Sequence, residues 1–392
     1  MKKFILFLMA IALIAGCTDS VLEDTQDDLM LKKASKSAVI NVPGDFATIQ
    51  EAVDNAKDGS QILIDEGIYE EQVVIDGKGL TLKGESGAII KSPSTLPHGA
   101  SSATSTYHAV ISVENCNVTI DGLVVDGDGM GNSNARFVGI LYLNAGGKIN
   151  NCVIKDVRNE PLSGAQHGLG IFVYNMEDDM QEIFITNNEV YGFQKNGITV
   201  SGNWENDYYS ANPQIPTSSN IKAHVNGNSI TGAGPVGVPL AAQNGIQISL
   251  GASGEVKSNT ISDLTYVPDT WASTGILDYY SSGVLIQGNT IIDCDPSLYV
   301  AASNGSKVVK NEFLTNGSLA YPWALLMSGM DLKVVNNSFS NFYVGIYVGS
   351  SYYGETTNSK LITNSFTDTE YTIYYSGESG DFKEHATKVY ND

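Results

Sequence analysis

Three titratable side chains in the middle of the sequence are of the types that carry out general acid–base catalysis. His167 and Lys195 each lie shortly before a strand-like run that opens with Gly-Ile, and Asp278 lies just inside a later run of the same kind. A histidine or lysine that works with a carboxylate can abstract a proton or protonate a leaving oxygen. These three residues are the candidate catalytic groups. The alternative role for Lys195 is to close the turn before Asn196.

Aromatic, amide and cationic side chains are frequent in the same part of the chain, and such side chains bind carbohydrate. Aromatic rings can stack on sugar rings, and amides can hydrogen-bond to sugar hydroxyls. The predicted substrate-binding residues are Arg158, Trp204, Tyr208, Gln243, Asn244, Gln247, Trp271 and Tyr279. The alternative is that they are ordinary loop residues, since Tyr, Asp and Asn are common in exposed loops.

A recurring motif indicates which elements position these side chains. A β-rich run, an Asn, one further residue and then Val, Ile or Phe recur at steps of 22 to 40 residues. A loose step around a fixed motif indicates a solenoid whose coils carry loops of different length. The motif asparagines are Asn151, Asn188, Asn228, Asn259, Asn289, Asn311, Asn337 and Asn364.

These asparagines are predicted to be structural. Each is expected at a sharp corner between two strands, where one residue takes the left-handed backbone conformation that Asn tolerates. If the coils stack at the strand spacing of about 4.8 Å, the side chains form one hydrogen-bonded ladder. At that rise Asp278, two coils beyond Lys195, would sit roughly 10 Å from it and could flank a bound sugar.

The pattern predicts an all-β fold, a single-stranded right-handed parallel β-helix. Each coil contains about three short strands with no helical periodicity between them. A solenoid end must be covered, and residues 44–59 suit a short N-terminal capping helix. Thr48 and Glu51 form a capping box there, and Phe46 belongs to its apolar stripe.

The N-terminus is typical of a bacterial lipoprotein. Residues 1–17 contain two lysines, an apolar run of 12 residues and a lipobox-like ending at Cys17, which would carry the lipid. Twelve apolar residues are too few to span a bilayer. An acidic tether over 18–37 and a β-helix domain over 38–392 follow. We expect an exported protein, anchored by its lipid in the outer membrane on the periplasmic or cell-surface side. A plain signal peptide is the alternative.

Charge and cysteine content narrow the function classes. The formal net charge of −21 excludes nucleic acid as a partner, and no basic stripe is evident along the sequence. It also disfavours long polyanionic polysaccharides unless a cation bridges them. Besides Cys17, the chain has Cys116, Cys152 and Cys294. An odd number at irregular spacing indicates buried thiols rather than a disulfide framework.

Two stretches carry a resemblance to known families. The segment DFATIQEAVDNAKDGSQILIDEGIYEEQVVIDGKGLTLKGE (45–85) resembles the opening of pectin methylesterases and of periplasmic copper-maturation β-helix proteins. The later coils resemble the repeats of the pectin-lyase-like superfamily, so that the likeness covers roughly residues 40–375. It implies that substrates lie across the face formed by the strands after the Asn corner, between the longest loops. Those loops are 156–169, 201–220, 231–244 and 262–274.

The catalytic motifs of these families are not carried over. The two acidic stretches of pectin methylesterases and the Asp-Pro-His of mannuronan epimerases are absent. Gln166-His167-Gly168 resembles the Gly-His-Gly of polygalacturonases, but the neighbouring coils lack the acids and the Arg or Lys of that family. Pectate lyases use an Arg base, and no Arg follows Arg158, so a Lys or His would have to replace it.

Calcium is the one cofactor that the sequence suggests. Asp126, Asp128 and Asn134 lie in a Gly-rich segment, but Met130 and Phe137 occupy positions that an EF-hand fills with oxygen ligands. A solvated turn is the favoured interpretation.

Three functions remain open from the sequence. The first is an enzyme that acts on an extracellular polysaccharide, as a lyase, hydrolase or epimerase. It predicts that titratable residues from adjacent coils converge in one groove. The second is a non-catalytic glycan-binding or adhesive surface lipoprotein, which predicts only aromatics and amides there. The third, a copper-maturation factor, lacks a suitable cluster of His and Met. We expect the protein to contact the membrane only through its lipid anchor, and the sequence does not indicate an oligomeric state.

Overall fold

The structure is a computed structural model that describes residues 38–102, 105–203, 215–267, 271–317, 319–349, 356–375, 383–385 and 388–390. The predicted export signal, Cys17 and the acidic tether lie outside these residues, as do Trp204 and Tyr208. In the described part of the chain, no helix is both long and apolar enough to cross a membrane.

The chain winds through three sheets in the fixed order A, B, C, and each circuit forms one coil. Strands of successive coils pair in parallel, and in the described part the one antiparallel ladder joins β7 and β8, whose bounds are given below. The fold is the predicted right-handed parallel β-helix.

Sheet A contains β1 (Val39–Val42), β2 (Gln61–Ile64), β5 (Thr81–Gly84), β9 (Asn117–Asp121), β12 (Gly146–Asn150), β15 (Gln181–Thr186), β18 (Ile221–Asn226), β21 (Ser253–Lys257), β24 (Val284–Gln287), β27 (Lys307–Val309), β30 (Lys333–Val335), β34 (Lys360–Ile362) and β37 (Lys383–His385). Sheet B contains β3 (Gly67–Glu70), β6 (Ala88–Lys91), β10 (Val124–Asp126), β13 (Val153–Lys155), β16 (Glu189–Tyr191), β19 (Ser229–Val236), β22 (Thr260–Tyr266), β25 (Thr290–Cys294), β28 (Glu312–Leu314), β31 (Ser338–Ser340), β35 (Ser365–Thr367) and β38 (Lys388–Tyr390).

Sheet C contains β4 (Val73–Asp76), β8 (Thr106–Glu114), β11 (Phe137–Leu143), β14 (Leu169–Tyr174), β17 (Asn196–Ser201), β20 (Asn244–Ser249), β23 (Thr274–Tyr279), β26 (Leu298–Asn304), β29 (Trp323–Met330), β32 (Val344–Val348) and β36 (Tyr371–Tyr375), with β7 (Ala100–Ser101) and β33 (Thr356–Thr357) at its margins.

The core lies between the three sheets and is built from rows of aligned side chains. Ile171, Ile198, Ile246 and Ile276 occupy one register position in successive strands of sheet C, and all are fully buried. The Gly before each of these isoleucines lets the coils approach each other closely. A Cβ at Gly197 would lie 2.8 Å from the Gly245 carbonyl oxygen. This packing explains the repeated Gly-Ile pattern.

The predicted ladder exists from Asn188 to Asn364, at the corner between sheets A and B. From Asn228 onward, each side-chain oxygen accepts the backbone N–H and the side-chain amide of the ladder Asn one coil earlier. Asn228 Nδ2 and N, for example, lie 3.0 Å and 2.9 Å from Asn259 Oδ1. Each Nδ2 also donates to a sheet A carbonyl, as Asn259 does to Val225 at 2.9 Å. The ladder residues are buried and fully paired.

Two details of the expected ladder are wrong. Asn151 is not a rung, because Cys152 occupies that position and donates its backbone N–H to Asn188 Oδ1 at 2.9 Å. Asn151 instead bonds to Asp121 at 2.8 Å. The left-handed conformation belongs to the residue before each rung, such as Asn187 with a φ of 56°. Each rung is therefore Asn because its side-chain amide forms the ladder bonds, and not because Asn tolerates a left-handed backbone.

The capping helix is confirmed in a shorter form. Helix α1 runs from Ile49 to Asn55, and the Thr48 side chain accepts the Glu51 backbone N–H at 3.1 Å. The Glu71 carboxylate accepts the first two helical N–H groups, from Ile49 and Gln50, at 2.9 and 2.8 Å. An acid from the neighbouring coil thus completes the N-terminal cap.

The expected long loops are partly strand. Residues 231–236 and 262–266 extend β19 and β22, which stay paired as far as Val236 and Tyr266. The connections that remain, 156–168, 237–243 and 267–273, precede sheet C, whereas 202–220 follows it. In the order of the chain, the first three connections therefore lead into sheet C and the last leads out of it. Cys116, Cys152 and Cys294 are free thiols.

Candidate functional site

The outer face of sheet C is closed at its N-terminal end. Strand β7 folds back onto β8, and Ala100 packs there with Val138, Leu141 and Phe172 in an outer apolar cluster that is almost completely buried. A ligand cannot reach the sheet at these coils. Any extended binding site on this face therefore begins at β17 or beyond.

A polar patch follows on β17 and β20. It consists of Asn196, Thr199, Ser201, Asn244, Gln247 and Ser249. Asn196 Nδ2 donates to Gln247 Oε1 at 2.9 Å, and Asn244 Nδ2 donates to Asn196 Oδ1 at 3.0 Å. The predicted binding residues Asn244 and Gln247 thus lie together, in a network that fixes their side chains. Gln247 is half-buried, and Asn244 is 5% exposed.

Lys195 lines a small cavity beside this patch. The cavity has a volume of about 170 Å³ and is lined by Gln166, Lys195, Leu240, Ala242, Tyr266 and Trp271. Lys195 Nζ donates to the Ala242 carbonyl at 2.6 Å, and in the described residues it has no carboxylate partner. Burial lowers the pKa of Lys195 to about 8. Two predicted site residues, Lys195 and Trp271, are therefore brought together here, and Trp271 is exposed.

His167 is held inside its own loop. The Phe137 backbone N–H lies 3.3 Å from His167 Nδ1, so that nitrogen is an acceptor and Nε2 donates to Asn159 Oδ1 at 2.9 Å. Burial and the nearby Arg136 lower the pKa of His167, which favours the neutral ring. Both ring nitrogens therefore have partners. In the described residues no hydrogen bond joins the ring to Lys195.

The predicted position of Asp278 in the outer groove is wrong. Asp278 aligns with Ile248 and Val300 in an inward-facing row, and it is completely buried. Its Oδ1 accepts hydrogen bonds from Ser281 and from Ser303, the latter at 3.1 Å, and its Oδ2 has no partner in the described residues. Burial raises its pKa to about 6. Side chains alternate along a strand, so Asp278 is cut off from the outer face.

Three other predicted residues have structural contacts. Arg158 is ion-paired with Glu160 at 2.8 Å and with Asp156 at 3.5 Å. Gln243 is buried and holds a corner, donating to the Phe193 carbonyl at 2.6 Å. Tyr279 packs edge-on against the neighbouring Tyr280, with ring centroids 5.0 Å apart. Of these, only Tyr279 lies in an outward-facing row of sheet C.

The segment considered for calcium is neutralised by lysines. Lys155 contacts Asp126, and Lys91 lies 2.9 Å from Asp128. In the described residues no group of three or more His, Cys, Asp or Glu side chains is placed to hold a metal ion. The carboxylates of the turn already have cationic partners, which fits a solvated turn.

An aromatic shelf, absent from the sequence-based expectations, lies on the last coils of sheet C. Trp323, Tyr347 and Tyr374 form it, and their rings stack with centroid distances of 4.9 and 5.4 Å and interplanar angles of 16° and 17°. Tyr343 and Tyr371 help line the cavity of about 400 Å³ above it. The candidate site residues predicted from the sequence end at Tyr279 and include none of these five. The register that aligns Tyr347 with Tyr374 is the signal that identifies the shelf.

A family described as the right handed beta helix region matches residues 138–320 and, in a second match, 214–391. Similar solved structures include the GH136 lacto-N-biosidase from Eubacterium ramulus, with a TM-score of 0.57 and 11% identity over 94% of this chain and 69% of that one.

DFA-IIIase from Arthrobacter chlorophenolicus has a TM-score of 0.55 and 12% identity over 91% of this chain and 99% of that one. The family 28 exopolygalacturonase of Yersinia enterocolitica has a TM-score of 0.51 and 13% identity over 90% and 78%. Identities this low establish likeness of fold alone. No curated protein matches the sequence.

Proposed function

The chain belongs to the right-handed β-helix family, and we propose that it binds a polysaccharide or oligosaccharide along the outer face of sheet C. The observation that carries this proposal is the aromatic shelf. Its rings come from three consecutive strands, β29, β32 and β36, so they follow one another along the solenoid axis.

The shelf suits a sugar chain because its rings are nearly parallel, stack on one another and border the cavity of about 400 Å³. Tyr374 is 47% exposed and Tyr371 is 42% exposed, which is unusual for large side chains grouped in one place. Aromatic rings offer a flat apolar face, and Tyr and Trp also carry a polar group at the edge. Because the rings cover each other's faces within the stack, a sugar in the cavity would pack against the ring edges and hydrogen-bond to the polar groups there.

The groups that line this face favour binding over hydrolysis. No Asp or Glu lines either the cavity at Lys195 or the one above the shelf, in the described residues. Glycoside hydrolysis normally needs two carboxylates on either side of the scissile bond. Aromatic, amide and hydroxyl groups are what a binding protein needs. The names of the lacto-N-biosidase and the exopolygalacturonase refer to carbohydrates, which supports a glycan as the ligand class.

The place of action is part of the proposal. The basic start, the apolar run and Cys17 favour export and lipid attachment in the outer membrane, on the periplasmic or cell-surface side. The glycan would then be one that the protein meets outside the cytoplasm.

A second candidate function, a polysaccharide lyase, rests on Lys195. An amine with a pKa near 8 is partly neutral at mildly alkaline pH and can act as a general base. In a lyase it would remove a proton beside a sugar carboxylate, form a carbon–carbon double bond and expel the glycosidic oxygen. Trp271, across the same cavity, could hold the sugar ring.

A glycan panel separates the two functions. The purified protein is titrated calorimetrically with neutral and uronate-containing polysaccharides, and each mixture is assayed for unsaturated products and for new reducing ends. We expect binding of at least one glycan without product. Unsaturated product that disappears in Lys195→Ala would establish the lyase instead, and absence of binding to every glycan would contradict both.

A further inference from the structure

A row of lysines lies on the outer face of sheet A, around the solenoid from the aromatic shelf. Lys307, Lys333 and Lys360 occupy one register position in the consecutive strands β27, β30 and β34, and Lys383 continues the register in β37. We refer to the first three as the lysine row. The lysines are separated by 26 and 27 residues in the sequence, so only the stacking of the coils brings them together.

The row is unusual because its charges are not compensated. No carboxylate forms an ion pair with any of the three lysines in the described part of the chain, although lysines elsewhere pair with acids. Adjacent strands lie about 4.8 Å apart, and like charges directly opposite each other destabilise a sheet. In a chain of net charge −21, acidic partners are plentiful. Three consecutive unpaired lysines therefore suggest a role other than stability.

The row also lines a depression rather than a convex surface. A cavity of about 380 Å³ is formed by Gly305, Lys307, Asp331, Lys333, Asn358 and Lys360. Gly305, Asp331 and Asn358 are the left-handed corner residues just before the three strands. Asp331 and Asn358 are bonded to each other through their side chains. Polar side chains that could bind hydroxyl groups thus accompany two of the three lysines, Lys333 and Lys360.

We propose that the lysine row is a second binding site, for a polysaccharide segment that carries regularly spaced carboxylates or sulfates. The three lysines occupy the same register position in consecutive strands and so follow one another along the axis, which suits a linear polyanion. A bilayer surface is a poorer fit, because the three lysines line a depression that a flat layer of headgroups cannot enter. The −21 charge of the whole chain disfavours polyanions elsewhere on the surface, which confines them to this row.

The site is independent of the proposed glycan site on sheet C. It uses different coil faces and a different attraction, since charge is screened by salt and stacking is not. Binding to the row should therefore weaken steeply as ionic strength rises. The two sites can be tested separately in one protein.

The test uses polygalacturonate, with its fully methyl-esterified form as the uncharged probe of the same backbone. The variant Lys307→Gln/Lys333→Gln/Lys360→Gln is compared with Lys57→Gln/Lys83→Gln/Lys148→Gln, which removes the same charge from exposed lysines of the N-terminal coils. We expect the row variant to bind polygalacturonate about ten- to thirtyfold more weakly at low salt, and the control to change little.

Further arms identify the source of the binding. The ester should bind the row variant and the wild-type protein equally, and Trp323→Ala should keep the salt-sensitive binding. The row variant should also unfold at a higher temperature, because like-charge repulsion is removed. Equal losses in the row variant and the control, or no binding of polygalacturonate, would overturn the proposal. Binding to phosphatidylglycerol vesicles but not to polygalacturonate would replace it with a membrane-surface role.

Discussion

Trp323 and Tyr347 lie face to face, with ring centroids 4.9 Å apart and 16° between the ring planes, although they belong to different coils. Strands β29 and β32 are neighbours in sheet C, and that pairing brings the two rings together. Tyr374 extends the stack by one coil. The relationship turns isolated aromatic residues into one continuous surface.

The double substitution Trp323→Ala/Tyr347→Ala should weaken glycan binding roughly ten- to hundredfold, since each stacked ring contributes about 1 kcal/mol or more. Calorimetric titration with the best glycan of the panel measures the change. Tyr191→Ala, on the outer face of sheet B, removes an aromatic ring away from the shelf and should leave the affinity unchanged. A double variant that is correctly folded and binds normally would contradict a role for the shelf.

Asn259→Ala should lower the free energy of unfolding by about 1–3 kcal/mol, because it removes the acceptor of the buried Asn228 backbone and side-chain N–H groups and the side-chain donor to the Val225 carbonyl. Denaturant titration followed by circular dichroism measures the loss. The exposed Asn55→Ala should cost less than about 0.5 kcal/mol. Similar costs for the two substitutions would show that the ladder bonds add little.

The Lys195 amine should make stability rise between about pH 8 and pH 10.5. Its pKa is about 8 in the folded protein and 10.5 in the unfolded chain, so unfolding takes up a proton in that window. Higher pH therefore favours the folded state. Below pH 8 the ammonium group is charged in both states, so the free-energy cost of burying that charge is fully present. Across this range, the melting temperature of the wild-type protein should rise relative to that of Lys195→Met. Lys57→Met, at an exposed site, should show no such difference.

Asp278 should make the stability of the folded protein fall as the pH rises, between about pH 4 and pH 6. Its pKa is raised from 3.8 to about 6 on folding, so the folded protein holds a proton that the unfolded chain releases. The stability that the bound proton contributes to the folded state is fully present below about pH 4 and is lost as the pH rises through 6. Asp278→Asn should raise the melting temperature at pH 7 and flatten its dependence between pH 4 and pH 6.

The exposed Asp54→Asn serves as the control for Asp278 and should leave the pH profile unchanged. Because Asp278 faces the core, Asp278→Asn should also bind glycan normally. Loss of binding or of turnover in a variant with normal stability would restore Asp278 to the functional site.

Cys17→Ser should move the protein from the membrane fraction to the soluble fraction, because a serine cannot receive the thioether-linked lipid. Fractionation of cells that express each variant, followed by immunoblotting, measures the distribution. Thr18→Ser keeps the cysteine and should stay with the membrane. If Cys17→Ser remained membrane-bound, the predicted lipid anchor would be wrong.

The solenoid can be predicted from the sequence because one residue type, Asn, recurs at the same corner of successive coils. The rungs from Asn188 to Asn364 and the Thr48 cap are visible without any knowledge of contacts. Two asparagines precede Cys152, and Val153 follows it, so the sequence pattern puts the rung at Asn151. The buried, inward-facing residue after this corner is Ile154, and the position two residues before it, which forms the rung, is Cys152. A shift of one residue changes which side chain forms the rung.

The surfaces could not be predicted in the same way. Whether Asp278 faces inward, and whether Tyr347 meets Tyr374, depends on strand register across coils. Loop length varies from coil to coil, so equal positions on neighbouring strands have unequal sequence spacing. The lysine row shows the same dependence on register, because its members are 26 and 27 residues apart in the sequence and meet only through strand pairing.

The direction of the ladder bonds has a consequence for how the solenoid fails. All seven side-chain carbonyls accept from the coil on their N-terminal side, so their dipoles align head to tail along the axis. Aligned hydrogen bonds polarise one another, and a chain of them is stronger than its separate links. An interruption in the middle, at Asn289, splits the chain into two short segments, whereas one at Asn364 only shortens it. The cost of losing a rung should therefore decline from the centre of the molecule towards its C-terminal end.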